Sequence, residues 1–333
     1  MTNSGVRLDR ASISYYLPTT GNDYSETNQY PSMFADDVAK KLFPVGGEVG
    51  REAVFQLSPN DENVSGIIES AFARYGGRSR YGREFSSILS GFGNQTAHSL
   101  VSSGAETFEV APTVDANGKA IGSLVLRLPR VWKFAGFTWQ TIPKNALADA
   151  HSENPKPVNR RPVRIPRDRV VHMTLPQEYR RVPSGLRALR HMGRAVPDFA
   201  IQNLNPDGTD RIPYDVEELR GIEQRAVASI TQSTGWNGRR TFDDAVTGYY
   251  TMRRFLRFEE FKIRLRKAVA GTINRILAVA GATVGFTAEV SLHHLPTLEE
   301  TAASRNDLAA GRLDFRQMMD QYSIYRRGRV TSQ

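Results

Sequence analysis

The sequence contains no cysteine, which removes disulfide bridges, thiolate nucleophiles and Cys-ligated zinc from the chemistry the chain can host. No window approaches the roughly 18 consecutive apolar residues of a membrane-spanning helix, and Met1 to Arg10 lacks the apolar core of an export signal. The expectation is a soluble chain, not exported, with no membrane partner. Catalytic signatures are equally sparse. The phosphate-cradling run G-x-x-x-x-G-K-[ST] does not occur, and Gly91-Phe92-Gly93 is a bare G-x-G without a third glycine or a preceding strand. His293 and His294 are neighbours on a predicted strand edge, point to opposite faces and have no carboxylate nearby, a poor basis for a metal site. His172, inside a predicted strand, reads as a packed or hydrogen-bonded histidine. The pairs Asp36-Asp37, Glu259-Glu260 and Glu299-Glu300 sit at helix starts or on solvated faces, where charge and helix dipole account for them. No metal, no cofactor and no enzymatic activity are expected.

Positive charge is what the chain has in excess: 44 Lys and Arg against 35 Asp and Glu, a formal +9 and a pI near 9.8. The excess is local. His151 to Arg194 holds eleven basic residues against three acidic ones, nearly the whole imbalance, and within it Arg160, Arg161, Arg164, Arg167 and Arg169 crowd a proline-punctuated stretch. A polyanionic partner fits this distribution, and so does a plain soluble surface.

With 333 residues the chain can bury a core as one large domain or two ordinary ones. Residues 1–60, rich in Asn, Ser, Thr, Gly and Tyr, read as an N-terminal arm with one helix near Pro31 to Leu42. An α/β body follows over 61–180. Helices are predicted from Asn63, through Phe85 to Leu89 and after Gly93. A β-rich region spans 105–174, where the apolar period changes to two and Asn117-Gly118 predicts a type I′ hairpin before Ile121, Leu124, Leu126 and Leu128. A second strand pair flanks Ala135-Gly136. Residues 181–240 form a helical connector, and 241–333 carry a long helix, a short strand at Thr287 to Leu292 and C-terminal helices, the first opened by the capping box Thr297 to Glu300.

The long helix is the strongest element. Capped by Thr241, it meets no stop until Gly281, about 39 residues or about 58 Å at ~1.5 Å each. In projection Arg257, Arg264, Lys267 and Arg275 fall within about 40° of Arg253, with only Glu260 opposing them. Phe255, Phe258, Phe261, Leu265, Val269, Ile273 and Ile276 form an apolar band opposite, interrupted by Arg254 and Lys262. The expectation is a rod whose band is buried by identical copies of itself around an axis, its basic stripe facing DNA or a neighbouring subunit. A separate element, His191-Met192-Gly193-Arg194, matches the H-x-x-R of tyrosine recombinases, which clamp a scissile phosphate, but the glycine–histidine motif that follows it there is missing.

The run Ile165-Pro166-Arg167-Asp168-Arg169-Val170-Val171-His172-Met173, followed by Val182-Pro183-Ser184-Gly185-Leu186, resembles the strand-to-helix join of portal proteins of tailed bacteriophages. His98 to Val110 with the Asn117-Gly118 hairpin and Leu124 to Pro129 is similar to an earlier part of that pattern. Leu295-Pro296-Thr297-Leu298-Glu299-Glu300 and Leu308-Ala309-Ala310-Gly311-Arg312-Leu313-Asp314 are similar to a later part. The resemblance runs in order over about residues 65 to 320. It implies an α+β, mainly helical, portal-like subunit with a small antiparallel β-region and one long amphipathic helix. In function it implies a non-enzymatic ring subunit, usually of twelve copies, at a capsid vertex, conducting double-stranded DNA without sequence specificity. Terminase, major capsid protein and tail adaptor are the implied partners, and the virion, after the host cytoplasm, the implied location. Another virion component, a head-to-tail adaptor or a DNA-coating protein, is the alternative, and a recombinase-like DNA enzyme a third.

Overall fold

The computed structural model describes residues 6–16, 29–39, 42–44, 53–76, 85–148, 157–158, 162–190, 216–238 and 248–322. Along the chain run β1 (Arg7–Leu8), β2 (Tyr15–Tyr16), α1 (Tyr30–Ala39), β3 (Phe55–Ser58), α2 (Glu62–Phe72), α3 (Phe85–Ser103), β4 (Ala105–Val114) and β5 (Ala120–Arg127). Then come β6 (Val131–Phe134), β7 (Phe137–Gln140), β8 (Leu147–Ala148), β9 (Val163–Ile165), β10 (Val170–Thr174) and helix α4 over 182–190. The remainder is α5 (Val216–Thr234), α6 (Gly248–Val284), β11 (Glu289–Leu292), α7 (Leu298–Ala309) and α8 (Phe315–Tyr322). The fold is α+β with small antiparallel sheets: β4 at the centre of one, flanked by β1, β5 and β10, a three-stranded sheet β6-β7-β9, and the pairs β3 with β11 and β2 with β8.

Local chemistry explains the element ends. Asp61 caps α2, its carboxylate accepting from Asn63 N at 2.8 Å and Val64 N at 3.3 Å. The expected capping box opens α7, with Thr297 N donating to Glu300 Oε2 at 2.8 Å and Glu300 N donating to Thr297 Oγ1 at 3.2 Å. Asp314 and Gln317 exchange the same pair of bonds ahead of α8, at 2.7 and 3.0 Å. The long helix does not stop at Gly281. It runs to Val284 and ends on Gly285, whose φ of +94° is the left-handed cap glycine allows. Gly281 has another reason to be glycine: a Cβ there would meet Phe286 O at 2.2 Å, because the returning chain presses on the helix at that point.

The α6 helix, 37 residues and about 55 Å long, passes through the protein's own core. Phe261, Leu265, Val269, Ile273 and Ile276 are fully buried, in one cluster with Phe34 and Val38 of α1, Phe92 and Leu100 of α3, Phe108 of β4 and Leu189 of α4. The Phe261 ring lies 4.7 Å from that of Tyr179, edge to face, and 6.0 Å from Phe34. This overturns the expected burial of the band by identical copies: an amphipathic stripe states that a face is covered, and here the same chain covers it. Of the two polar interruptions Arg254 is half-buried and Lys262 is interior, as is Arg266 beside it. Lys262 is buried with its ammonium on the Glu259 carboxylate, and Arg266, 2 % exposed, donates from Nε to Leu42 O at 2.7 Å. The start expected at Thr241 lies outside the described residues.

Residues 1–60, where described, are not an arm. β1 extends the central sheet through Arg7↔Val114 and Leu8↔Thr113, α1 sits in the main core, and β3 pairs with β11. The tie is polar. Glu109 of β4 is fully buried, and its two carboxylate oxygens accept from Ala11 N at 2.8 Å and Ser12 N at 2.9 Å. Gln140 of β7 holds the next residue, accepting from Ile13 N at 2.9 Å and donating to Ile13 O at 3.0 Å. A turn-rich composition disguised a segment whose backbone groups satisfy interior side chains.

The two hairpins exchange roles relative to expectation. At Asn117-Gly118 only Gly118 has positive φ, and the Asp115 carboxylate accepts from Asn117 N and Lys119 N, so the turn is longer than type I′ and carries a bulge at Thr113/Val114. The tight turn with two left-handed residues is Ala135-Gly136, φ +48° and +78°, between the paired Phe134 and Phe137. Replacing Glu109 by Ala leaves one buried and one half-buried N–H donor, those of Ser12 and Ala11, without an acceptor. We expect a loss of about 3 kcal/mol in unfolding free energy by urea titration, with Glu109→Gln recovering only part. A loss within error of zero would show that the tie carries no stability.

Candidate nucleic-acid interface

The five cations of the predicted stripe do lie on the outer side of α6, but they are not equivalent. Arg253, Lys267 and Arg275 are exposed and Arg257 is half-buried. Arg264 is committed within the chain, its Nη1 at 2.9 Å from Glu178 Oε1 and its Nη2 at 3.2 Å from Glu260 Oε1. Arg305 of α7 also reaches Glu260. The acidic partners of Arg264 are in the same molecule. Burial pushes the Tyr179 phenol beside this cluster up to about 12, with Arg264 the largest influence lowering it. Arg275 turns back on its own helix, with Nη2 donating to Thr272 Oγ1 at 2.9 Å.

The basic segment ahead of α4 divides in the same way. Arg160 and Arg161 lie outside the described residues, as does the His191 to Arg194 element. Arg167 is exposed on the short turn before β10, while Arg169 is held by Asp9 at 2.9 Å. Arg164 is exposed on β9, its guanidinium 3.5 Å from the centre of the Phe137 ring. In α4 the buried Val182, Leu186 and Leu189 turn Arg187 outward, and Arg180 and Arg181 are exposed just before them. Arg187 is thus set by the helix period against an apolar stripe.

Two places gather charge or aromatic surface. At the first, His172 of β10 is influenced by cations of two other elements. Its Nδ1 is 2.9 Å from Thr107 Oγ1 across the β4–β10 ladder. Burial first, then Lys133 of β6 and Arg275 of α6, hold the imidazole below its ordinary value.

The second is the sheet β6-β7-β9, whose aromatic face the sequence reading passed over. Trp132 pairs with Trp139 and Phe134 with Phe137, and the alternation of the strands brings all four to one face. The signal was present: Val131-Trp132-Lys133-Phe134 and Phe137-Thr138-Trp139-Gln140 around a two-residue turn fix that face by register alone. Elsewhere a half-open cleft of about 400 Å³ lies between Ser12 to Tyr15 and Val125 to Pro129. Its Arg127 is bound at 2.6 and 2.8 Å by the Glu106 carboxylate. Among the described residues no group of three His, Asp or Glu is placed to hold a metal, and no helix is long and apolar enough to cross a membrane.

No protein-family model matches the chain, and no match was found among curated proteins.

The His172 environment has a measurable consequence. The folded protein disfavours the charged imidazole, so the unfolded chain takes up its proton first as pH falls. The stability associated with neutral His172 is present above about pH 6.5 and is lost as pH drops toward the lower folded value. An NMR titration is expected to place the His172 midpoint below about 6.5, and Arg275→Ala to move it upward. An unmoved midpoint would mean that Arg275 does not act on this ring.

Proposed function

We propose that the chain is a subunit of a portal-type ring, non-enzymatic, conducting double-stranded DNA at a capsid vertex. In this reading its partners are further copies of itself, terminase, the major capsid protein and a tail adaptor. The observation that carries it is the setting of the resembling segments. Val170 to Thr174 forms a strand on the central β4, and Ser184-Gly185-Leu186 lies in the helix that follows. Leu295 to Glu300 leads into α7 through its capping box, and Ala310-Gly311 closes that helix, with Gly311 at φ +70°. Four short patterns that are individually common thus occur in order at a strand, a helix start, a capped helix start and a glycine helix end.

Burial of α6 in its own core changes how a ring would meet DNA. The rod supplies no intersubunit seam along its apolar band, so contacts between copies fall to other surfaces. DNA contact falls to the outward cations Arg253, Arg257, Lys267 and Arg275, and to the exposed Arg167 and Arg187. Such contacts suit sliding, because phosphates carry no sequence information and release counterions wherever the chain touches them.

Native mass spectrometry and electron microscopy of the purified protein test the reading directly: rings with a central channel of about duplex width are expected. A monomer that persists at high concentration and beside capsid and terminase partners would overturn it. Charge reversal at Arg253 and Lys267, neither of which is ion-paired among the described residues, is expected to leave rings intact and to impair DNA passage. Arg264→Glu is unsuited to this test because it would break the Glu178 and Glu260 pairs.

A further inference from the structure

We propose that the outward face of the β6-β7-β9 sheet is a binding surface for single-stranded nucleic acid, on which bases stack against Trp132, Phe134 and Phe137 while Arg164 and its neighbours meet phosphates.

The register defines the face. Trp132 lies opposite Trp139, Phe134 opposite Phe137, and Trp139 opposite Arg164 of β9, so four aromatic rings and one guanidinium share a side. The other side is spoken for: Thr138, Gln140 and Ile165 are buried, and Ile165 packs with Ala111, Leu126 and Leu128. The aromatic side faces solvent, with Phe134 65 %, Trp132 42 % and Phe137 36 % exposed. Large aromatic side chains gathered on one exposed face mark a binding surface, whereas scattered ones do not.

The rings are also arranged. Trp132 and Trp139 lie nearly parallel, 19° apart with centres at 6.0 Å. Trp132 Nε1 donates to Thr141 Oγ1 at 2.8 Å, which fixes how the indole presents its plane. The Arg164 guanidinium carbon already lies 3.5 Å from the centre of the Phe137 ring, within reach of the same ligand. Rings held in place before the ligand arrives lose little conformational freedom on binding.

Charge selects among the surfaces that could cover such a face. From Pro129 to Lys144 and from Lys156 to Arg167 there is no Asp or Glu, and Arg164 is the cation that the register puts on the aromatic side, Lys133 lying opposite Thr138 on the other. A second copy of the same face would bring cation to cation. A polyanion with flat, apolar rings meets both requirements, and that describes an unpaired nucleic-acid strand. A duplex keeps its base faces stacked inside and would offer only phosphates. With strands about 4.8 Å apart and about 6.8 Å between same-face residues along a strand, the face has room for roughly two bases. It needs no ring, so it can fail or hold independently of the portal reading.

The tryptophans supply the assay. Of the three in the chain, Trp236 is 3 % exposed, with its indole N–H on Asp37 Oδ2 at 2.9 Å, so quenching by a stacking base reports Trp132 and Trp139. Short thymidine and uridine oligonucleotides are titrated against the full chain, with a duplex of equal length as the comparison. Quenching by single strands and weaker binding without quenching by the duplex are expected; the two sugars separate DNA from RNA preference. Phe134→Ala combined with Phe137→Ala is expected to weaken single-strand binding on the order of tenfold per ring, with an unchanged melting temperature and salt dependence. Arg164→Ala is expected to lower the salt slope by about 0.7.

Equal binding of duplex and single strand without quenching would overturn the proposal. So would self-association abolished by the aromatic substitutions with no oligonucleotide binding, which would make the face a contact between copies. Binding to anionic phospholipid vesicles in place of oligonucleotides, with a blue-shifted tryptophan emission, would equally overturn it.

Discussion

Everything described in this fold depends on one apolar stripe finding cover within its own chain. Phe261, Leu265, Val269, Ile273 and Ile276 leave no surface to water, and at roughly 1.5 to 3 kcal/mol for each large side chain their burial outweighs any single polar contact in the molecule. The elements that cover them come from α1 near the start of the chain, α3 and β4 in the middle, and α4. The stripe therefore acts as the organising axis on which distant segments are brought together, and the outer side of the same helix inherits a fixed row of cations.

A second constraint operates through polar groups. Interior carboxylates and amides need partners, because an unpaired buried group costs as much as a lost hydrogen bond. Glu109 and Gln140 obtain theirs from the backbone of residues 11 to 13. Glu106 obtains its partner from Arg127, and Lys262 from Glu259. Polarity in the core thus specifies which segment lies where, while the apolar stripe supplies most of the cohesion. Arg253, Lys267 and Arg275 of α6 and Arg187 of α4 stay on the surface because their own helices bury the opposite side.

The helical period made α6 legible, and the threonine–glutamate pair at 297 and 300 made the start of α7 legible, since both signals are local. The period-two pattern located the β-rich region for the same reason. What covers a face is not local. Amphipathicity in α6 could not distinguish cover by copies from cover by α1, α3 and β4, because either leaves the same periodic trace. Burial of Glu109, Lys262 and Arg266 was invisible because charge normally reads as solvated, and the partners of Glu109 and Arg266 lie far away in the chain. For the candidate interface, the cations of the α6 stripe were readable from a projection, but the ion pairs that remove Arg264 and Arg169 from service depend on Glu178 and Asp9, on other elements. The four aromatic residues of β6 and β7 stood in plain alternation, and only the register shows that they share one side.

The beginning of α6 belongs to different company from its middle. Leu256 packs in a small separate cluster with Leu308, Met318 and Tyr322, joined by Met252, Phe255 and Leu313, whereas the large core begins farther along the helix at Phe258 and Phe261. One continuous helix is thereby anchored in two apolar bodies of unequal size. Opening of the smaller body would release α7 and α8 and fray the first turns of α6 without disturbing the β4 sheet, a partial unfolding lower in free energy than the global one. Amide hydrogen exchange would be faster over these C-terminal helices than along the second half of α6, giving a single helix two protection levels.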